Sequence, residues 1–133
     1  MSEPPEVIRP PGWARPSGSA AGVLAAGRVL AVAGQIGAAR DGAIIDGGIA
    51  GQLDQALANV GEVVAAAGGT LAHVVSMTIH VTNLAAYRRA RPELGDVWRR
   101  RMGAHYPAMT LVEVSGLVDE GAVVEVSALA VLP

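Results

Sequence analysis

Two runs rich in β-branched residues, Thr110 to Leu117 and Val123 to Val131, flank Asp119-Glu120-Gly121, and no other stretch narrows the possible folds as much. Val and Thr pack well on a pleated surface, and Asp and Gly favour tight turns. The spacing therefore predicts a strand, a turn and a second strand, paired as an antiparallel hairpin. Side chains alternate along a strand, which puts Val123, Glu125, Ser127 and Leu129 on one face and Val124, Val126, Ala128 and Ala130 on the other. Glu125 is thus an acid in an otherwise apolar strand. Residue chemistry allows two readings of it: an edge or interface carboxylate that reaches water or an arginine, and a partly desolvated acid suited to moving protons.

The 133 residues are enough for one domain, 1–133, and too few for two. About half of them are apolar, at 51%, but Phe is absent and Ala and Gly are abundant, so the core must consist of small aliphatic groups in closely approaching layers. The net charge of −2 gives no case for a nucleic-acid or membrane partner. Every basic residue is Arg, which removes lysine Schiff-base chemistry and the phosphate-loop lysine. The absence of Cys removes disulfides, thiol nucleophiles and cysteine metal sites. The N-terminus lacks the basic start and apolar run of a signal peptide, and no apolar stretch reaches the roughly 20 residues that cross a bilayer, so the expected location is the cytoplasm.

Residues 1–22 are rich in Pro, Gly and Ser and are expected to form a partly irregular arm, with Trp13 its one large apolar group. Val23 to Ala25 and Val29 to Ala33, with Gly27 between, predict a short hairpin, and Gly34-Gln35-Ile36-Gly37 ends its second strand. From Ile49 to Ala67 apolar residues recur at three-and-four spacing, an amphipathic helix stopped by Gly68-Gly69. Val74 to Thr82 alternates as a strand, and the strand-helix-strand order favours a parallel pairing with the earlier strand. Asn83 can cap a further helical stretch that Pro92 breaks or restarts, with Tyr87, Leu94, Val97, Trp98 and Met102 as its apolar stripe. Arg88, Arg89, Arg91, Arg99, Arg100 and Arg101 lie on or beside that stripe. Together these elements make an α+β sandwich: one mixed sheet with two helices on one face. The other sheet face carries Val and Leu beside the Glu125 row, and self-association would cover it.

Pro107-Ala108-x-Thr110-x-Val112-x-Val114, followed by Val124-Glu125-Val126-x-Ala128-x-Ala130-Val131, resembles the C-terminal signature of the RidA family (YjgF/YER057c/UK114), small enamine and imine deaminases. Gly34-Gln35 and Gln55-Ala56-Leu57-x-Asn59-Val60 match in the same order, and the resemblance spans about residues 13–131. It implies a chorismate-mutase-like protomer, a homotrimer with sheets facing inward, and a small-molecule cleft at each subunit boundary. It also implies that Glu125 orients the attacking water, that backbone near Gly34 meets the ligand, and that an aromatic such as Trp13 closes over it. Deaminating members carry an Arg two residues after the Pro to hold the substrate carboxylate; here Met109 stands there.

The candidate site is therefore Glu125 as the catalytic residue, with Trp13, Gly34, Tyr87, Met109 and Leu111 binding substrate; no metal and no cofactor are expected. Another arginine, such as Arg28 or Arg91 of a neighbouring subunit, is open to take the place of the missing one. His80 has no acid or second His at a metal-binding spacing and is expected to be exposed or at an interface. Three functions compete: an imine or enamine hydrolase acting on something other than small 2-imino acids, a non-catalytic metabolite-binding trimer, and, less favoured, nucleic-acid binding or cleavage through the arginine cluster. No Gly-x-Ser-x-Gly occurs to support serine chemistry.

Overall fold

The computed structural model describes residues 5–15 and 18–133. In chain order the elements are strands β1 (Glu6–Ile8), β2 (Gly22–Leu24) and β3 (Arg28–Ile36), helix α1 (Gly48–Ala66) and strand β4 (Val74–Val81). Helices α2 (Leu84–Arg89) and α3 (Arg91–Met102) and strands β5 (Ala108–Glu113) and β6 (Val124–Leu132) follow. Four strands form one mixed sheet in the order β3-β6-β4-β5, and β1 pairs with β2 in a separate two-stranded sheet.

The helical expectations hold because their signals are local. Helix α1 presents Leu53, Ala56, Leu57, Val60 and Val64 as a buried stripe, and Gly68 ends it at φ 93°, a conformation that suits glycine. The Asn83 side chain accepts a 2.9 Å hydrogen bond from the Ala86 amide and caps α2. Pro92 then restarts the chain as α3, so the expected second helix is two helices with the proline in the first turn of the latter. Val74, Met77, Val81, Val124, Val126 and Ala130 meet the α1 stripe from the sheet side. Full burial of each such Val or Leu contributes about 1.5–3 kcal/mol.

Strand pairing departs from the expectation in three places. The arms around Asp119-Glu120-Gly121 do not pair with each other. The turn is present, with the Ala122 amide bonded to the Asp119 carbonyl, but β4 lies between β5 and β6. Strand β2 pairs with β1 across Glu6–Leu24 rather than with β3, so the arm expected to be irregular contains a strand. Strands β3 and β4 run parallel but are not neighbours, since β6 is antiparallel to both. The parallel neighbours are β4 and β5, joined through α2 and α3. Sheet order is set by long-range burial: β6, the most apolar strand, alternates buried residues along its whole length and takes a central place.

A carboxylate on the open sheet face and a cavity beneath α3

Alternation in β6 turns Val124, Val126, Ala128 and Ala130 towards the helices and leaves Glu125, Ser127 and Leu129 on the open face. Glu125 stands opposite His80 on β4 and opposite Ile36 on β3. The β3–β6 register shifts between Val32 and Gln35, a bulge in which Ala33 and Gly34 face Ser127. At that bulge the Glu125 side chain lies against the Gly34 backbone so closely that a Cβ on residue 34 would stand 2.6 Å from Oε1. Glu125 is half-buried. Among the described residues its carboxylate has no hydrogen-bond or ion-pair partner. A half-buried acid with free lone pairs can orient a water and take its proton. Asn59 fixes the end of the same strand by donating to the carbonyls of Ile36 and Ala38 at 3.2 and 2.9 Å, a structural role. Gln52, buried in α1, donates to the Gly121 carbonyl and accepts from the Val123 amide, and so sets where β6 begins.

Met109 and Leu111 lie elsewhere. They pair with Met77 and Ile79 of β4 and so share the helix-facing side, where they line a cavity of about 660 Å³ between the sheet and α2–α3. Ile79, Val81, Leu94 and Val124 complete its apolar wall, and Tyr87 and Ser19 add hydroxyls. Trp98 and Tyr106, also in the lining, stack at a centroid distance of 5.8 Å and an interplanar angle of 11°. The indole is pinned by a 3.2 Å bond to the His105 carbonyl, and the His105 ring by one of 2.7 Å to Val74. Arg91 and Arg99 stand in the lining as its two cations.

Within one chain, then, Gly34 and Glu125 come together, and Tyr87, Met109 and Leu111 come together, but the two groups occupy opposite faces of the sheet. Trp13 belongs to neither: it is 63% exposed and absent from the cavity lining. His80, Trp98 and Tyr106 join the site without having been singled out for it, and Arg91, considered as a replacement from a neighbouring subunit, lines the Met109 cavity of its own chain. Only strand register reveals His80, and Arg91 shares helical spacing with Leu94 and Trp98. Of the other arginines on α2 and α3, Arg88 and Arg89 make no ion pair among the described residues, whereas those at the end of α3 lie beside acids. Arg101 grips Asp54 at 2.8 and 3.2 Å, Arg100 approaches the same carboxylate at 3.9 Å, and Arg99 pairs with Asp96. The hydrogen bond from Arg101 holds the Asp54 carboxyl below the usual carboxylate range and raises the Arg101 guanidinium in turn. Among the described residues no cluster of His, Asp or Glu has the makings of a metal site, and no helix is long and apolar enough to cross a membrane.

Residues 15–132 match the family model described as Endoribonuclease L-PSP. The chain is 30% identical over 105 residues to the 2-iminobutanoate/2-iminopropanoate deaminase of Bos taurus, covering 78% of this chain and 73% of that protein. It is 30% identical over 126 residues to a RutC family protein of Pyrococcus horikoshii, covering 94% and 96%. Among solved structures, the Rid family protein YyfB of Yersinia pestis superposes with a TM-score of 0.86 at 29% identity, over 98% of this chain and 100% of that one. A YjgF/YER057c/UK114 family protein of Mycobacterium tuberculosis gives 0.64 at 33% identity, over 86% and 87%. Sequence and fold agree over nearly the full length, and the chain belongs to the RidA (YjgF/YER057c/UK114) family.

Proposed function

We propose that this protein is an imine or enamine hydrolase that works as a homotrimer, with Glu125 as its acid–base group. The observation that carries this reading is the Glu125 carboxylate, partnerless among the described residues and seated on the Gly34 backbone. Relatives named 2-iminobutanoate/2-iminopropanoate deaminase support the reaction class. Water adds to the C=N carbon as Glu125 takes one of its protons. The same carboxyl returns that proton to nitrogen, giving a carbinolamine; the carboxylate then takes the hydroxyl proton and delivers it to the amine as the C–N bond breaks, so that a carbonyl compound and ammonia leave.

Family membership and the exposed apolar residues on the open sheet face support the trimer. Glu125 sits on β6 beside the β3 edge, and Met109 sits on the opposite edge, β5. Since the two lie on opposite faces within one chain, a neighbouring copy in a closed head-to-tail ring would have to present its Met109 side to the Glu125 of the next. That contact supplies what one chain keeps apart.

Met109 in place of an arginine removes a charge-assisted contact worth about 1.5–3 kcal/mol, so small 2-imino acids should turn over at least about tenfold less well than in a relative that keeps the cation. Met109 also favours one second reading, a trimer that binds metabolites without converting them. The nucleic-acid reading has less support, because Arg99, Arg100 and Arg101 lie beside acids and Arg91 lines the cavity. The test is ammonia release from imines generated in solution, compared between the wild type and Glu125→Gln. The variant should lose about a hundredfold or more in rate with the same circular dichroism and oligomeric state. Equal rates in the two proteins overturn the hydrolase; ligand-dependent thermal shifts with no release of ammonia establish the binder.

A further inference from the structure

Helix α3 places Arg91, Leu94, Gly95, Trp98 and Arg99 along one line, and all five line the cavity that holds Met109. Arg99 is neutralised by Asp96. Arg91 makes no ion pair or side-chain hydrogen bond among the described residues, and no Asp or Glu lines the cavity. An arginine without an acidic partner therefore lines a cavity of mixed character, in which Ser19 and Tyr87 add hydroxyls and the stacked Trp98 and Tyr106 offer a flat aromatic wall. Arg28, the other arginine considered for this place, is occupied with the Pro133 carbonyl at 3.0 Å.

The size of the cavity restricts what it suits. The cleft is half open, and its volume of about 660 Å³ lies within the range that holds drug-sized ligands, so it has room for a side chain larger than that of a four-carbon acid. A guanidinium binds a carboxylate through two parallel hydrogen bonds, and apolar walls favour a bulky apolar body. We infer that Arg91 supplies the carboxylate grip absent at position 109, and that the substrate is a 2-imino acid, or its enamine tautomer, with a large apolar or aromatic side chain. This deepens the hydrolase reading and rests on it for the reaction, but not for the grip.

The grip is read by binding and by turnover. Calorimetry with phenylpyruvate, pyruvate and phenylpyruvamide measures binding, and imines generated from phenylalanine and alanine measure turnover. The wild type should bind phenylpyruvate more tightly than pyruvate or the amide, and should convert the phenylalanine imine faster than the alanine imine. Arg91→Ala should weaken phenylpyruvate binding and raise KM for its imine by about 10- to 100-fold, leave the amide unaffected, and recover in part as Arg91→Lys. Because Arg91 is exposed in the first turn of α3, the truncation leaves the core intact, which a thermal melt checks. Phenylpyruvate binding indifferent to Arg91, or a wild type that prefers pyruvate, overturns the assignment. Turnover that needs Glu125 but not Arg91 rejects the grip alone. Binding that needs Arg91 with no imine converted rejects the hydrolase and keeps the grip.

Discussion

Residue 34 sets a condition on residue 125. The Gly34 backbone approaches the carboxylate so closely that a methyl group there would stand 2.6 Å from Oε1 and 2.7 Å from Cδ of Glu125. Those atoms are the tip of a flexible side chain, so the acid would swing away while the sheet stays in place. Gly34 does not have a positive φ, and an alanine there costs no backbone strain. By narrowing the unfolded ensemble it can add about 0.4–1 kcal/mol. Gly34→Ala is therefore expected to melt at the same temperature as the wild type or slightly higher, while kcat falls by about a hundredfold, as for an acid misplaced by an ångström. A steady-state assay beside a thermal melt checks both halves. Unimpaired kcat would show that Glu125 does not work from this seat.

Helices α1 and α3 are clamped across their exposed sides by Asp54 and Arg101, with Arg100 as a more distant cation. The Asp54 side chain is 30% exposed and that of Arg101 40%, so solvent screens the pair and its contribution is about 0.5–1 kcal/mol. Its pH dependence has a definite sign. A carboxyl held below its unfolded value stabilises the fold above that value and loses the effect as pH falls through the folded one. Asp54→Asn should thus melt a few degrees lower at pH 7, and the gap should close as the pH is taken below about 4. Melting curves from pH 2 to 7 test this; a gap that persists at pH 2 would mean that the aspartate acts through packing instead. These elements were the legible part of the chain. The three-and-four spacing after Ile49, the Asn83 cap and the Pro92 restart are written in neighbouring residues. Which strands would pair was not, because the choice depends on distant partners. The turn at Asp119 to Ala122 forms as its residues demand. Yet Gln52 of α1 ties down Gly121 and Val123, and β6 then aligns between β3 and β4 rather than beside β5. The candidate site was half legible for the same reason: the alternation around Glu125 followed from parity, but its opposition to His80 and its separation from Met109 depend on register.

At the scale of the whole molecule, the helices cover one side of the sheet and the other side stays open. On that face Val29 pairs across strands with Val131, and Ala31 with Leu129, so one end of the β3–β6 ladder is apolar; the end bearing Glu125, His80 and Ser127 is polar. Val29 is 70% exposed and Leu129 43%. In the proposed ring the apolar end becomes subunit contact and the polar end adjoins the cleft, which divides stability of assembly from chemistry along a single strand. An aspartate at 129 would be tolerated by the protomer, where the position already meets water. In the ring it would become a buried, unpaired charge costing several kcal/mol at each of three contacts. Leu129→Asp is therefore expected to sediment as a folded monomer with native circular dichroism and to lose imine turnover with the assembly, since Glu125 and the Met109 cavity would no longer meet. A wild type that sediments as a monomer would remove the ring altogether. A monomeric Leu129→Asp that kept full turnover would place the whole reaction within one chain, on a face where the cavity and the carboxylate are separated by the sheet itself.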